Sequence, residues 1–283
     1  MGWDTGLNVS RWAKQLAYEV GKEIYFSKFM GDTFESMIVS KTMPEGKGKD
    51  MTFGLVGYTG TAVTGDSALE SNEQNLTSNE VVVTTNQRRF GVINAGNFDD
   101  SKVLYNFRTE ALAQLKRQYA EDHDAQIFSA LTKTSGAGAY LRADSGTAGS
   151  VYVLLIHPEV AYDLAKDDTW LNAQKNANVR GSDNPIFSGA LGMYDGVIVH
   201  EHEGITTASN LGAGDAIPAA RNLFLGAGAA CHAQVDGMSW VEKTFDYGNK
   251  LGIAAGQIYG VGMSTFDSKD YAVIQYLTAR TDL

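Results

Sequence analysis

Between Asp100 and Lys133 one apolar stripe runs through Leu104, Phe107, Ala111, Leu115, Tyr119, Ile127 and Leu131 at helical spacing, while Lys116, Arg117, Glu121, Asp122 and Asp124 lie mostly off it. These 34 residues predict one helix about 50 Å long at 1.5 Å per residue. Helices of ordinary domains average about 11 to 12 residues. This one must therefore lie across the molecule as a spine. His123 falls on the stripe four residues after Tyr119, and with no second histidine nearby in the helix it reads as a packed ring rather than a ligand.

The chain around that helix has 283 residues, 43% of them hydrophobic, enough for one large domain or two interlocked ones. No apolar run approaches the roughly 20 residues of a membrane-spanning helix, and the N-terminus lacks a secretory pattern, so a soluble, unexported protein is expected. A net charge of −10 is the wrong sign for a protein whose main affinity is for phosphate backbones. Cys231 is the single cysteine, which excludes an internal disulfide and a cysteine-based metal cluster; with no Lys or Arg beside it in sequence, it reads as a buried inert thiol. Thirty-one glycines against 4 prolines suggest many tight turns and bulges between strands.

Upstream of the spine, Trp12, Leu16, Val20 and Ile24 recur every four residues and predict a helix from Ser10 to Met30, with Ser10 as N-cap and Gly31 as its stop. Strands are expected at Met51–Leu55 and Val81–Ile93. Between them Thr59 to Asn79 carries Asp66, Glu70 and Glu73 but no Lys or Arg, and 21 residues are far too many for a hairpin turn. From Asp32 to Glu80 there are 8 acidic and 3 basic residues, so a net of −5, half the charge of the chain, sits in this segment. Downstream, the glycine-rich pieces between Ser135 and Ser150 mark the best boundary between structural units. A mixed α and β half follows: a buried strand at Val151–Ile156, a helix opened by His157-Pro158-Glu159, and strands at Val197–His200, Asn222–Gly226, Ala229–Val235 and Tyr271–Leu277.

Catalytic signatures are missing: no phosphate-binding glycine loop, no dinucleotide fingerprint, no His-Glu-x-x-His and no nucleophile elbow. The pairs Asp99-Asp100 and Asp167-Asp168 read as helix-terminal acids. His200-Glu201-His202-Glu203 could offer two imidazoles from one strand face to a metal, the basis of a metal-dependent hydrolase, but no third ligand is identifiable and a polar strand end turning at Gly204 is the simpler reading. No cofactor is expected.

Four passages stand out: Phe187-Ser-Gly189-Ala-Leu-Gly192-Met-Tyr-Asp-Gly196-Val-Ile-Val199, Phe245-Asp-Tyr-Gly248-Asn-Lys-Leu-Gly252, Ile258-Tyr-Gly260-Val and Lys269-Asp-Tyr271-Ala-Val-Ile274. In order and spacing they resemble the major capsid proteins of tailed bacteriophages, the Hong Kong 97 type fold, in a podophage-type branch. Phe29-Met-Gly31, Gly65-Asp66, Leu69-Glu70 and Arg88-Arg89 are similar as well, and the likeness runs from Trp12 to Thr278.

The resemblance implies an α+β chain with an N-terminal arm (1–45), an extended two-stranded loop (46–96), a peripheral domain holding the spine (97–150), an axial domain (151–235) and a return to the peripheral domain (236–283). It implies a non-enzymatic subunit of hexamers and pentamers, self-assembling in the host cytoplasm into an icosahedral head around double-stranded DNA. The DNA is enclosed but not specifically bound, and no membrane is involved. A separate scaffolding protein, a portal and a decoration protein are the implied partners; an encapsulin-like shell around protein cargo is the alternative. A two-stranded flap is marginal alone in water, so its apolar residues are expected to find cover on a neighbouring subunit. Asp66, Glu70 and Glu73, with Arg88 and Arg89 on the returning strand, are the candidate subunit contacts. Some members of the fold join subunits through a Lys in this loop; Thr59 to Asn79 has none, which argues against such cross-linking.

Overall fold

A computed structural model describes residues 5–43, 48–56, 63–64, 70, 73, 78–94, 96, 106–132, 139–140, 152–176, 191–209, 217–235 and 237–280, with backbone only at 5–10, 139–140 and 173–176. Asp66, the start of the expected spine (100–105), Lys133, the passage 187–190 and nearly all of the glycine-rich boundary 135–150 lie outside the described residues.

The chain opens with α1 (Thr5–Glu23), a 3-10 turn (Tyr25–Phe29), β1 (Met30–Gly31) and β2 (Ile38–Met43). Next come β3 (Asp50–Val56), β4 (Ser78–Thr84), β5 (Asn86–Ile93), the spine α2 (Phe107–Leu131) and β6 (Ala139–Tyr140). The mixed half begins with β7 (Tyr152–Ile156), α3 (Pro158–Leu164), α4 (Asp168–Asn176), β8 (Gly192–Tyr194), β9 (Val197–Glu201) and β10 (Thr207–Ala208). It continues with β11 (Ala219–Leu225), β12 (Ala230–Val235), β13 (Ser239–Phe245), β14 (Lys250–Met263), β15 (Thr265–Phe266), β16 (Lys269–Tyr271) and β17 (Val273–Ala279).

Two six-stranded sheets organise these elements. The central one runs β1-β2-β12-β14-β13, with β5 also on β14; the second runs β10-β11-β7-β9-β8, with β17 on β11. One apolar core joins them: Leu16 and Val20 of α1, Leu115, Ile127 and Leu131 of α2, Leu155 of β7, Leu223 of β11 and Ile253 of β14 are all buried in it. The expected stripe is the buried face of α2, where Ala111, Leu115, Tyr119, His123, Ile127 and Leu131 are enclosed, together with Phe128.

Three expected elements have different limits, each for a local reason. The spine starts at Phe107, because Asn106 adopts an extended backbone and its side chain accepts from the Arg108 amide, an N-cap. Its 25 residues span about 37 Å. α1 stops at Glu23 rather than Met30. Ile24 is extended, and the Tyr25 and Phe26 amides donate to the Asp124 carboxylate at 3.0 and 3.3 Å, so a spine residue caps the 3-10 turn. The expected strand Val81–Ile93 is two strands that part at Thr85, whose amide and hydroxyl both donate to the Lys49 carbonyl at 2.9 and 2.7 Å. β4 pairs with β3 before that residue and β5 with β14 after it.

The β3–β4 hairpin is covered by its own subunit, contrary to expectation. Phe53, Leu55, Val81 and Val83 are buried against Val39, Cys231 and Ala233 of the central sheet. Two glycines of β14 admit it: a Cβ on Gly260 would meet the Thr84 carbonyl oxygen at 2.3 Å, and one on Gly262 would meet Val83 at 3.0 Å. Among the described residues of β3 and β4, the exposed large apolar side chains are Val56 and Val82, on the hairpin's other face.

Candidate functional site

Beyond the hairpin, the same face of β14 lies open. Gly252 and Ala254 form the floor of a trough of about 350 Å³, walled by Arg89 and Ile93 from β5 and by Val241, Lys243 and Phe245 from β13. Register makes the hollow: Gly252 sits between Ile93 and Lys243, Ala254 between Gly91 and Val241, and Gly256 between Arg89 and Ser239. Along this stretch of the face β14 carries only Gly252, Ala254 and Gly256, while the larger side chains of Arg89, Ile93, Val241, Lys243 and Phe245 stand on its neighbours. Ile93, Val241 and Phe245 are exposed apolar residues, and the Lys243 ammonium lies 4.9 Å from the Phe245 ring centroid. At the β13–β14 turn, Asp246 and Tyr247 hold left-handed backbone, φ 52° and 49°, and the Tyr247 ring is fully exposed. A bulky residue held in that conformation costs about 1–2 kcal/mol.

Alternation along β5 separates the two arginines. Arg88 turns toward the spine, where it pairs with Asp122 at 3.3 Å and approaches the Tyr259 ring at 5.9 Å. Arg89 is on the open face. Glu70 and Glu73 are exposed at isolated described positions. Sequence reasoning missed Lys243 and the trough itself; the small residues at 252, 254, 256, 260 and 262, at alternate positions broken only by Ile258, were the available signal.

The spine is bonded to the sheet by its own polar groups. The Tyr119 hydroxyl donates to the Ala255 carbonyl at 2.7 Å, and burial pushes its pKa up to about 12. The Tyr259 hydroxyl donates to Asp122. On β13, the Arg108 guanidinium grips Glu242 in a two-pronged ion pair, with its shorter contact at 2.9 Å; that hydrogen bonding holds the Glu242 carboxyl below its ordinary value.

His200 and His202 sit in the joint between the spine and the second sheet. His200 is buried beside Phe29, ring centroids 5.3 Å apart, while His202 lies 4.2 Å from the Tyr25 ring and 4.9 Å from Phe128. The Gly204 amide donates to His202 Nδ1 at 2.9 Å, and burial lowers the pKa of this imidazole. Among the described residues no three His, Cys, Asp or Glu side chains are grouped to hold a metal ion. Asp167 has a structural task, since its carboxylate accepts the Thr169 and Trp170 amides at the start of α4. Cys231 is buried against Ser264, and burial raises its thiol to about 11.

A family model described as phage capsid protein matches residues 1–144 and 140–278. The major capsid protein of Pseudomonas phage KPP25 is 24% identical over 95% of this chain and 94% of its own length. Two solved assemblies share the fold. The capsid of Ralstonia phage GP4 has a TM-score of 0.76 at 24% identity, covering 92% of each chain. The head structure of Helicobacter pylori bacteriophage KHP40 has a TM-score of 0.73 at 14% identity, covering 92% of this chain and 91% of that one. The chain belongs to the phage capsid protein family, and its fold is the Hong Kong 97 type. It is a major capsid protein, a structural subunit of the shell of a phage head and hence part of the virion.

Proposed function

We propose that the open face of the central sheet receives the acidic segment 57–77 of a neighbouring subunit, so that the trough and that segment form the repeated contact of the shell. The observation that carries this is charge set beside shape: an apolar hollow edged by Arg89 and Lys243, and a segment with Asp66, Glu70 and Glu73 but no Lys or Arg. Such pairs select register and partner more than they add affinity. Arg89 is the arginine offered for this contact, Arg88 being engaged with Asp122.

On this reading the role is purely structural and non-catalytic. Subunits gather in the host cytoplasm as hexamers and pentamers of an icosahedral head, aided by a separate scaffolding protein and a portal, with room for a decoration protein. The head encloses double-stranded DNA, and the excess of negative charge suits a wall that must not adhere to it. The division into arm, extended loop, peripheral domain and axial domain belongs to the same proposal. Replacing 59–77 by a short Gly-Ser turn tests it and leaves β4 whole. The circular dichroism of the subunit should stay nearly unchanged while closed particles vanish from electron micrographs. Normal shells from the shortened protein would make the segment dispensable, and outright unfolding would assign it to the subunit's own core.

A further inference from the structure

Beneath the middle of α2 the central sheet offers a second imidazole. His123 of α2 and His232 of β12 are 1% and 2% exposed, and their ring centroids lie 5.5 Å apart. One nitrogen of each ring is bonded: His123 Nε2 to the Gln257 side-chain oxygen at 3.1 Å, and His232 Nδ1 to the Ser40 hydroxyl at 3.0 Å. The other nitrogens, His123 Nδ1 and His232 Nε2, are buried without a hydrogen-bond partner. Such atoms are uncommon in folded proteins and call for a physical reason.

The surroundings do not favour a proton there. α2 brings Asp122 and Tyr119, β5 brings Arg88 and β14 brings Tyr259, whose ring stacks on His123 at 3.7 Å. The Asp122 carboxylate is already engaged by Arg88 and by the Tyr259 hydroxyl. On β2, Lys41 follows Ser40 and its ammonium lies 5.7 Å from the Phe53 ring, toward the hairpin. A proton on either ring would bury an N–H with no acceptor, and a second would set like charges side by side.

We propose that His123 and His232 form an acid-sensitive latch between the spine and the central sheet, shut while both rings are neutral and opened by proton uptake. The position suits a latch, because Tyr119, Asp122 and His123 carry the hydrogen bonds from α2 to β5 and β14 among the described residues. Burial lowers both imidazoles, His232 to about 3 with His123 adding to the effect. Folded values below the unfolded value of about 6.5 mean that the pair's contribution is complete above pH 6.5 and is lost as pH falls toward the folded values. Each imidazole that takes up a proton on opening lowers the closed-to-open ratio about tenfold per pH unit.

Amide hydrogen exchange of the full-length subunit from pH 7 to pH 4, corrected for intrinsic chemistry, tests this beside the variant His123→Leu/His232→Leu. In the wild type, protection of residues 107–131 should fall about tenfold or more per pH unit below about pH 6, ahead of β7, β9 and β11. The double variant should lose that slope. An unchanged slope in the variant, or simultaneous loss from both sheets in the wild type, overturns the latch. Imidazole carbon NMR on the wild type decides the matter if the variant fails to fold. Two of the five histidines should stay neutral until α2 loses protection; titration of all five near pH 6.5 with α2 still protected would refute the proposal.

Discussion

One face of β14 carries Gly252, Ala254, Gly256, Ile258, Gly260 and Gly262 in alternation, and its two halves are used differently. At the covered half, a Cβ on Gly260 would run into the Thr84 carbonyl oxygen at 2.3 Å, a backbone atom of the subunit's own hairpin. At the open half, a Cβ on Gly252 or Gly256 would meet the Phe245 ring or the Ser239 hydroxyl, side chains that can turn aside. Smallness at 260 is therefore demanded by folding. Smallness at 252–256 exceeds what the subunit's own packing requires, and its visible consequence is a trough. That excess is what the proposed contact with a neighbouring subunit would use.

The largest effect that separates the halves concerns the hairpin. Phe53→Ala removes a ring that is 1% exposed against the central sheet, and should cost about 3–5 kcal/mol of subunit stability, measured by urea unfolding of dissociated subunits. Val56→Ala, on the exposed face of the same strand, should change stability by less than about 0.5 kcal/mol. Equal effects would mean that the hairpin lifts off the sheet in solution and that the covered half of β14 is open as well.

Gly260→Ala comes next, at a cost of about 1–3 kcal/mol, since the Thr84 backbone must move to admit the methyl. Gly54→Ala is its control: nothing lies within 4 Å of the added Cβ, and its φ is not in the left-handed region. That substitution should be neutral or slightly stabilising in thermal unfolding. A tolerated Gly260→Ala would break the contrast between the halves.

The difference between the halves also marks where the sequence could be read. The stripe of α2, the hairpin, the strand and helix at 152–164 and the packed His123 followed from period and caps, because burial on one face leaves that pattern in the residues themselves. β14 did not: a strand floored with Gly and Ala on one face shows little polar and apolar alternation. The passage from β4 into β5 hid for another reason. No Gly or Pro interrupts the run from Val81 to Phe90, and the change of sheet is made by Thr85 bonding to Lys49, 36 residues earlier in the chain. The end of α1 depends likewise on Asp124, 99 residues from Tyr25. The trough escaped notice because its walls are adjacent only once the register of β5, β14 and β13 is known.

At the tip of the open half the sign of a mutation should reverse. Tyr247→Gly replaces a left-handed tyrosine by a residue that adopts that conformation freely, and should raise subunit stability by about 1 kcal/mol in urea unfolding. If the ring is kept for contact with a neighbour, the same variant should assemble less completely in light scattering. A more stable subunit that assembles as well as the wild type would remove Tyr247 from the interface.

The smallest effect per subunit is the sharpest test of the contact. Arg89 is exposed and faces away from the spine, so Arg89→Glu should leave subunit stability within about 0.5 kcal/mol. Each exposed ion pair with Glu70 or Glu73 of a neighbour is worth only about 0.2–1 kcal/mol. In a shell the proposed contact would recur from subunit to subunit, and reversal would replace each attraction by a repulsion, so the loss should accumulate in assembly although it is nearly invisible in the monomer. The yield of closed particles should fall with Arg89→Glu, fall with Glu70→Lys/Glu73→Lys, and recover when all three changes are combined. Recovery requires that the two sets of charges meet, because two unrelated surface defects would add. Arg88→Glu behaves otherwise: it sets a carboxylate beside Asp122 at the spine, so it should destabilise the subunit itself, and no change at 70 or 73 should restore it.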